Sequence, residues 1–276
     1  MTHTELEARY WEEVTGECQA APGQSLWRSH SDWVYARLLA LWLPPGTASR
    51  LLKTDLFDEA VGEGLYPVLA SRSTTTVGLD LSTATICQAQ AQHPGLLATA
   101  GDVRRLPFAN DTFDVVFSNS TLDHFRSRAE IHDSLAEILR VLRPGGQLLV
   151  TVDNLANPLV AVRNLLPFGL LRRLGLVPYY MGATLGPRGL RRALLRAGFE
   201  VMRLAAVLHC PRLLAVALAQ RLERQGSPDQ VARFLERVRR FESLERWPTR
   251  FLTSYYVAAL ARKPGPDSAP RGEAWS

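Results

Sequence analysis

The sequence predicts an α/β protein built on a doubly wound, mostly parallel β-sheet. Short apolar runs typical of buried strands alternate with helical patterns between residues 48 and 152. Within 129–142, apolar residues recur at helical spacing, and Pro144-Gly145-Gly146 is expected to close that helix. The chain has 276 residues, which is enough for one large core and an additional subdomain.

Each element follows from its own local pattern. The first five strands are expected at Leu51-Leu52, Thr75–Asp80, Leu96–Ala100, Phe113–Phe117 and Gln147–Val152. Helical patterns are found at 82–92, 129–142, 188–198 and 212–246, and the apolar segment 155–180 predicts one or two inserted helices. Two further strands are expected near 199–203 and 253–260. The alternation of strand and helix indicates a sheet covered on both faces.

These patterns divide the chain into five regions. They are an aromatic-rich N-terminal helical cap at 1–45, a ligand-binding core at 46–154, a helical insert or lid at 155–183, the C-terminal part of the core with a long helical insert at 184–263, and a flexible tail at 264–276. The tail is rich in Pro, Gly and Ser and has little apolar content, so we expect no packed structure there.

Composition excludes several classes of protein. The chain has 46% hydrophobic and 21% charged residues, an ordinary globular balance, and its net charge of +5 does not imply a nucleic-acid partner. The three cysteines are far apart, so we expect neither a metal site nor a disulfide framework. The N-terminus lacks the basic and apolar regions of a signal peptide, and no apolar run approaches about 20 residues, so we expect a cytoplasmic protein.

Three segments carry the chemistry, and the first of them ends in an acid. Val77–Ser82 is a strand that ends at Asp80, and ligands of doubly wound sheets bind beyond the carboxyl ends of the strands. A carboxylate there can accept hydrogen bonds from both hydroxyls of a ribose, although Asp80 could also be a plain turn residue. The other two segments are Gly101–Ser120 and Arg140–Gly146.

Taken in this order, the three segments resemble the class I S-adenosylmethionine-dependent methyltransferases of the methyltransferase type 11 kind. The resemblance covers roughly residues 48–152, and Leu106–Asp114 is its most specific match. It implies a seven-stranded Rossmann-like methyltransferase fold with helical lid additions, S-adenosyl-L-methionine as cofactor, and methyl transfer to a small-molecule metabolite. An apolar compound or an intermediate of a biosynthetic pathway is the candidate acceptor. The cofactor-binding residues that it implies are Asp55, Glu59, Asp80, Leu81, Asp102, Val103, Ser118 and Asn119.

One part of the family pattern is replaced. The first loop normally reads acid-x-Gly-x-Gly-x-Gly, because glycines let the backbone approach the cofactor. Here Asp55, Phe57 and Glu59 stand at the glycine positions, and Lys53 stands near the acid. Either carboxylates of Asp55, Asp58 or Glu59 meet the positive charge of the cofactor, or the side chains fill the pocket. In the second case the chain is a catalytically silent relative that binds a partner or metabolite. Asp58 could also cap the following helix.

The transfer site and the lid leave alternatives open. His124 is a candidate general base, or a cap of the helix that starts near Arg128. No other catalytic residue is assigned. The residues proposed to line the substrate are Trp27, His30, Trp33, Tyr179 and Tyr180, which could instead pack in a helical layer. The apolar insert suits an apolar substrate or a membrane surface, although a buried lid core is the more ordinary interpretation.

Overall fold

A seven-stranded sheet organises the protein. The computed structural model describes residues 3–20, 24–43, 46, 48–175, 177 and 179–265. The strands are β1 (Ala48–Lys53), β2 (Ser73–Asp80), β3 (Leu97–Ala100), β4 (Phe113–Asn119), β5 (Leu142–Asp153), β6 (Glu200–Val207) and β7 (Tyr256–Arg262). Their order is β3-β2-β1-β4-β5-β7-β6, and β7 alone runs in the direction opposite to the other six strands. The predicted doubly wound, mostly parallel sheet is confirmed.

Helices cover both faces of the sheet. They are α1 (His3–Ala20), α2 (Gln24–Trp42), α3 (Phe57–Val61), α4 (Tyr66–Ala70), α5 (Thr83–Gln92), α6 (Arg128–Val141), α7 (Pro158–Leu165), α8 (Phe168–Arg173), α9 (Pro187–Arg196), α10 (Arg212–Gln225), α11 (Pro228–Arg240) and α12 (Arg250–Thr253), with 3-10 turns at Leu122–His124 and Phe241–Arg246. No helix within the described ranges is long and apolar enough to cross a membrane.

Neighbouring residues of the central strands contribute to two different cores. Leu51 and Val115 pack with α2, α10 and α11, whereas Leu52 and Val116 pack with α6 and α9. These four side chains are at most 1% exposed. Successive strand residues point to opposite faces, so a strand covered on both sides must be apolar at consecutive positions. Burial of each such side chain contributes about 1.5–3 kcal/mol to the stability of the fold.

The parallel strands bring the polar residues of the predicted motifs to one edge. Lys53, near the end of β1, pairs with Gly78 of β2 and with Phe117 of β4. The residues that follow these positions therefore lie side by side at the carboxyl end of the sheet. This register places the replaced glycine loop beside Asp80 and Asn119.

Some element boundaries differ from the prediction. Helix α6 ends at Val141, three residues before Pro144, because the backbone of Leu142 is already extended and begins β5. Pro144-Gly145-Gly146 therefore lies within β5 and does not close the helix. The short helices α3 and α4 were not predicted, since five residues are too few to show a period. Most of the expected tail, residues 266–276, lies outside the described residues.

Candidate active site

A cavity lies at the carboxyl edge of the sheet. Its empty space, including the open solvent at its mouth, is about 1390 Å³. Its walls come from the ends of β1, β2 and β4, from α1 and α2, and from the first residue of α10. The predicted site residues that line it are Trp27, Asp55, Asp80, Leu81, Asp102, Val103, Asn119, His124 and Tyr179. Glu59, Ser118, His30, Trp33 and Tyr180 are not part of its lining.

Asp80 is held at the cavity wall by the backbone. One carboxylate oxygen accepts from the Leu56 N–H at 3.0 Å, and the other accepts from the Ser82 N–H at 2.8 Å. Burial raises the pKa of Asp80 to about 6. An ionised carboxylate has about four lone-pair sites, so both oxygens can still accept a hydroxyl from a ligand.

Asp102 is tied to an arginine that sequence reasoning missed. The Arg104 Nε lies 2.9 Å from both carboxylate oxygens of Asp102. The same guanidinium bonds Glu7 of α1 at 2.5 Å and Glu130 of α6 at 2.7 Å. Arg104 therefore fastens α1 over the cavity. Glu7, Trp11 and Thr15 recur every four residues and form the helix face that lines the cavity.

The replaced glycine loop contains a buried ion pair. The Lys53 Nζ lies 2.8 Å from Glu59 Oε2 and 2.7 Å from the backbone oxygen of Asp55. Burial alone would lower the pKa of Lys53, but Asp55 and Glu59 outweigh it and raise that pKa. Glu59 is fully buried and also accepts from the Leu65 N–H at 2.9 Å. Its carboxylate is thus used inside the loop and leaves the cavity open.

Carboxylates form one end of the cavity. Asp55 and Asp58 line it from the replaced loop, and Asp32 lines it from α2. Burial, reinforced by the neighbouring acids, raises the pKa of Asp32 to about 8. Burial likewise raises the pKa of Asp58 to about 6. Helix α3 starts after Leu56 without a side-chain cap, and Asp58 lies in its first turn. We call Asp32, Asp55 and Asp58 the acidic end.

Phe57 forms part of the cavity wall. Its ring lies 5.4 Å from the guanidinium carbon of Arg28 and 6.0 Å from the Tyr179 ring. The ring therefore packs between Arg28 and Tyr179 beside the acidic end, and the cavity continues past it from Asp55 to Asp80.

His124 lies where a proton could be exchanged with a bound molecule. Its Nδ1 is 3.0 Å from the Tyr180 carbonyl oxygen, and a carbonyl can only accept, so Nδ1 carries the proton. The Nε2 atom, which lies 3.9 Å from Asp123 Oδ1, then carries the lone pair that could act as a base. The hypothesis that His124 caps α6 is wrong, because Ser127 is the N-cap and forms a capping box with Glu130.

Ser118 and Asn119 end β4 but have different surroundings. Ser118 is fully buried and accepts from the Thr54 hydroxyl at 2.9 Å. The side-chain oxygen of Asn119 accepts from Thr151 at 2.8 Å, and Asn119 lines the cavity. Ser118 therefore supports the loop after β1 from behind the cavity wall.

The aromatic residues proposed for the lid separate into two groups. Trp27 and Tyr179 line the cavity. His30 is 1% exposed, lies between Trp27 and Trp33, and has its Nε2 3.6 Å from Glu242. Trp33 lies under Arg239 of α11. His30 and Trp33 thus pack between helices, as the alternative interpretation proposed for them.

The segment that carries Tyr179 and Tyr180 is anchored by a glycine. The Gly182 N–H donates to the Asp123 oxygen at 2.7 Å, and a Cβ added at Gly182 would lie 1.9 Å from the Phe125 backbone oxygen. Because this oxygen belongs to the main chain, only movement of the backbone would relieve the overlap.

Gly182→Ala is therefore expected to lower the free energy of unfolding by about 1–3 kcal/mol. Urea denaturation followed by circular dichroism measures the change. Gly169→Ala is the matched control, since nothing lies within 4 Å of a Cβ at Gly169 of α8. Equal stability of the two variants would contradict the role of Gly182.

The fold is a doubly wound sheet of the kind that binds nucleotides, and the site has an acid, Asp80, at the end of β2. Residues 57–150 match the family model described as a methyltransferase domain. The match covers about a third of the chain and indicates a methyltransferase domain of the kind found in S-adenosylmethionine-dependent methyltransferases.

Two curated proteins and one solved structure are among those similar to the chain. A probable S-adenosylmethionine-dependent methyltransferase of Mycolicibacterium smegmatis is 30% identical over 145 residues, 51% of either chain. A demethylmenaquinone methyltransferase of Beutenbergia cavernae is 38% identical over 119 residues, 43% of this chain and 45% of the relative. The structure of an S-adenosylmethionine-dependent methyltransferase from Mesorhizobium loti has a TM-score of 0.54 and 18% identity over 82% of this chain and 96% of that chain. The chain spans about half the length of the first two.

Proposed function

We propose that the protein transfers a methyl group from S-adenosyl-L-methionine to a small-molecule metabolite held in the cavity. The observation that carries the proposal is the open cavity, which joins Asp80 to the acidic end although the glycine loop is replaced. It stays open because Glu59 is paired with Lys53 inside the loop. A carboxylate for the ribose and several carboxylates for an ammonium and a sulfonium suit the two halves of this cofactor.

Each wall of the cavity has a proposed role. Asp80 and Leu81 would hold the ribose, and Asp102 and Val103 would hold the adenine. The acidic end would hold the amino-acid half of the cofactor. Glu59 would not contact the cofactor and would support the loop through its ion pair with Lys53. The bound cofactor supplies an electrophilic methyl group. The protein would contribute mainly the alignment of donor and acceptor, which can account for a large part of the barrier reduction.

The side of the cavity that faces the acceptor is aromatic. His124 is the candidate general base for an oxygen or nitrogen nucleophile, because a proton on Nδ1 leaves the lone pair on Nε2. Trp27 and Tyr179 would pack against the acceptor. A relative named for demethylmenaquinone supports an apolar skeleton for the substrate.

Titration calorimetry with S-adenosylmethionine and S-adenosylhomocysteine tests the proposal. We expect binding of both and a rise in melting temperature, since ligand at 100 times its Kd stabilises the folded state by about 2.7 kcal/mol. Methylthioadenosine, which lacks the amino-acid half, is the matched control and should bind more weakly if the acidic end holds the ammonium.

Absence of heat and of stabilisation with either ligand at millimolar concentration would reject the enzymatic function. The alternative would then apply, a catalytically silent relative that binds a partner or metabolite through the same lid.

A further inference from the structure

Arg212 supplies a positive charge to the cavity wall away from the acidic end. It is the first residue of α10, and its guanidinium carbon lies 5.7 Å from the Trp27 ring and 5.9 Å from the Tyr255 ring. Within the described part of the chain, no carboxylate lies within 4.0 Å of it. By contrast, Arg104 bonds three acids, and Arg28 lies among the carboxylates of the acidic end. Arg212 is therefore a cavity cation surrounded by rings.

A second polar group of the cavity is the buried hydroxyl of Tyr35. Tyr35 lines the cavity and is 3% exposed, and its hydroxyl lies near Thr151 without a hydrogen bond of good geometry to any residue that the structure describes. The nearby Thr151 hydroxyl is already engaged by Asn119 and by the Ser120 N–H. Burial raises the pKa of the Tyr35 hydroxyl, which keeps its proton available for donation. Leaving such a group unsatisfied is costly, so a ligand atom is expected beside it.

The charges in the cavity are segregated. Arg212 lies near Tyr255, Tyr256 and Tyr179. Burial alone would lower the pKa of Arg212, and Asp153 is the acid that raises this pKa most. That acid is occupied by Arg163, whose Nη2 lies 2.5 Å from Asp153 Oδ2. The acidic end lies on the β1 side of the cavity, where the three acids Asp32, Asp55 and Asp58 outnumber the cation Arg28. A molecule with one negative group would thus bind in a single orientation.

We infer that the methyl acceptor carries a carboxylate on an aromatic or apolar skeleton, and that Arg212 binds this carboxylate. The planar fork of a guanidinium matches the two oxygens of a carboxylate, which a neutral amide does not reproduce. The Tyr35 hydroxyl donates a further hydrogen bond, and Trp27 packs on the skeleton. The inference names the substrate class of the proposed function and rests on that function for the reaction itself.

Naphthoate and its neutral amide, naphthamide, are suitable probes. Both are titrated by calorimetry into protein saturated with S-adenosylhomocysteine. The wild-type protein should prefer naphthoate by about tenfold or more, the range expected for hydrogen bonds between charged groups. Arg212→Gln should abolish the preference. Arg221→Gln, an exposed position on the same helix, should retain it. Tyr35→Phe, which removes only the hydroxyl, should weaken naphthoate binding several-fold.

Three outcomes overturn the inference: equal affinity for the two probes, no binding of either up to their solubility limits, or a preference that survives in Arg212→Gln. Affinity for S-adenosylhomocysteine is measured for every variant and should be unchanged, which shows that the fold is intact. If Arg212→Gln does not fold, Arg212→Lys keeps the charge without the fork and should lower the preference several-fold. Absence of the preference in the wild-type protein, with cofactor binding intact, rejects only the substrate class, whereas a wild-type protein that binds no cofactor rejects the proposed function.

Discussion

Lys53→Met is expected to lower the free energy of unfolding by about 3–5 kcal/mol, the usual cost of removing one partner of a buried ion pair. The Lys53 and Glu59 side chains are 1% and 0% exposed, and their charged atoms are 2.8 Å apart. Methionine nearly matches the volume of lysine but leaves the Glu59 charge without a counter-ion. Urea denaturation followed by circular dichroism measures the effect at neutral pH.

Two further variants separate this effect from a loss of packing. The double variant Lys53→Met, Glu59→Gln buries neither charge and should recover most of the lost stability. Arg50→Met changes an exposed position of the same strand and should stay within about 0.5 kcal/mol of the wild-type protein. A loss below about 1 kcal/mol in Lys53→Met would show that the ion pair does not hold the loop.

Asp80→Asn is expected to weaken binding of S-adenosylhomocysteine about 10- to 100-fold at pH near 7.5. Hydrogen bonds to a charged group contribute about 1.5–3 kcal/mol, and each 1.4 kcal/mol is a factor of ten in affinity. Asparagine keeps the shape and one accepting oxygen, so only one of the Leu56 and Ser82 N–H groups loses its acceptor, whereas alanine would leave both without one. Calorimetric titration gives the affinity. Asp133→Asn, an exposed acid of α6, is the control.

The same carboxylate predicts a dependence on pH. Burial raises the pKa of Asp80 to about 6, and only the ionised form can accept from both ribose hydroxyls. Affinity should therefore fall as the pH is lowered through about 6. Asp58 and Asp32 also titrate between about 6 and 8, so the comparison of wild type with Asp80→Asn isolates the contribution of Asp80. Superimposable pH profiles for the two proteins would contradict the ribose assignment.

Local patterns were sufficient for most of the fold. The strands around Leu52 and Val116 were predictable because a strand buried on both faces must be apolar at consecutive positions, which is visible in a few residues of sequence. Helix α6 was predictable from its apolar period. Its end was not, because Leu142 becomes extended to pair with Phe113 of β4, a contact made across 29 residues.

The sequence by itself determined that an acid, Asp80, ends β2 at the edge where ligands of such sheets bind, since strand direction and residue order are local properties. Only the tertiary structure decided that Glu59 turns inward to Lys53 while Asp32 of α2 joins the acidic end. It likewise decided that Arg104 holds Glu7 and that Arg212 faces the cavity. The physical reason is that a charged side chain takes its partner from whichever element packs against it, and that element can be distant in the chain, as Glu7 is 97 residues from Arg104.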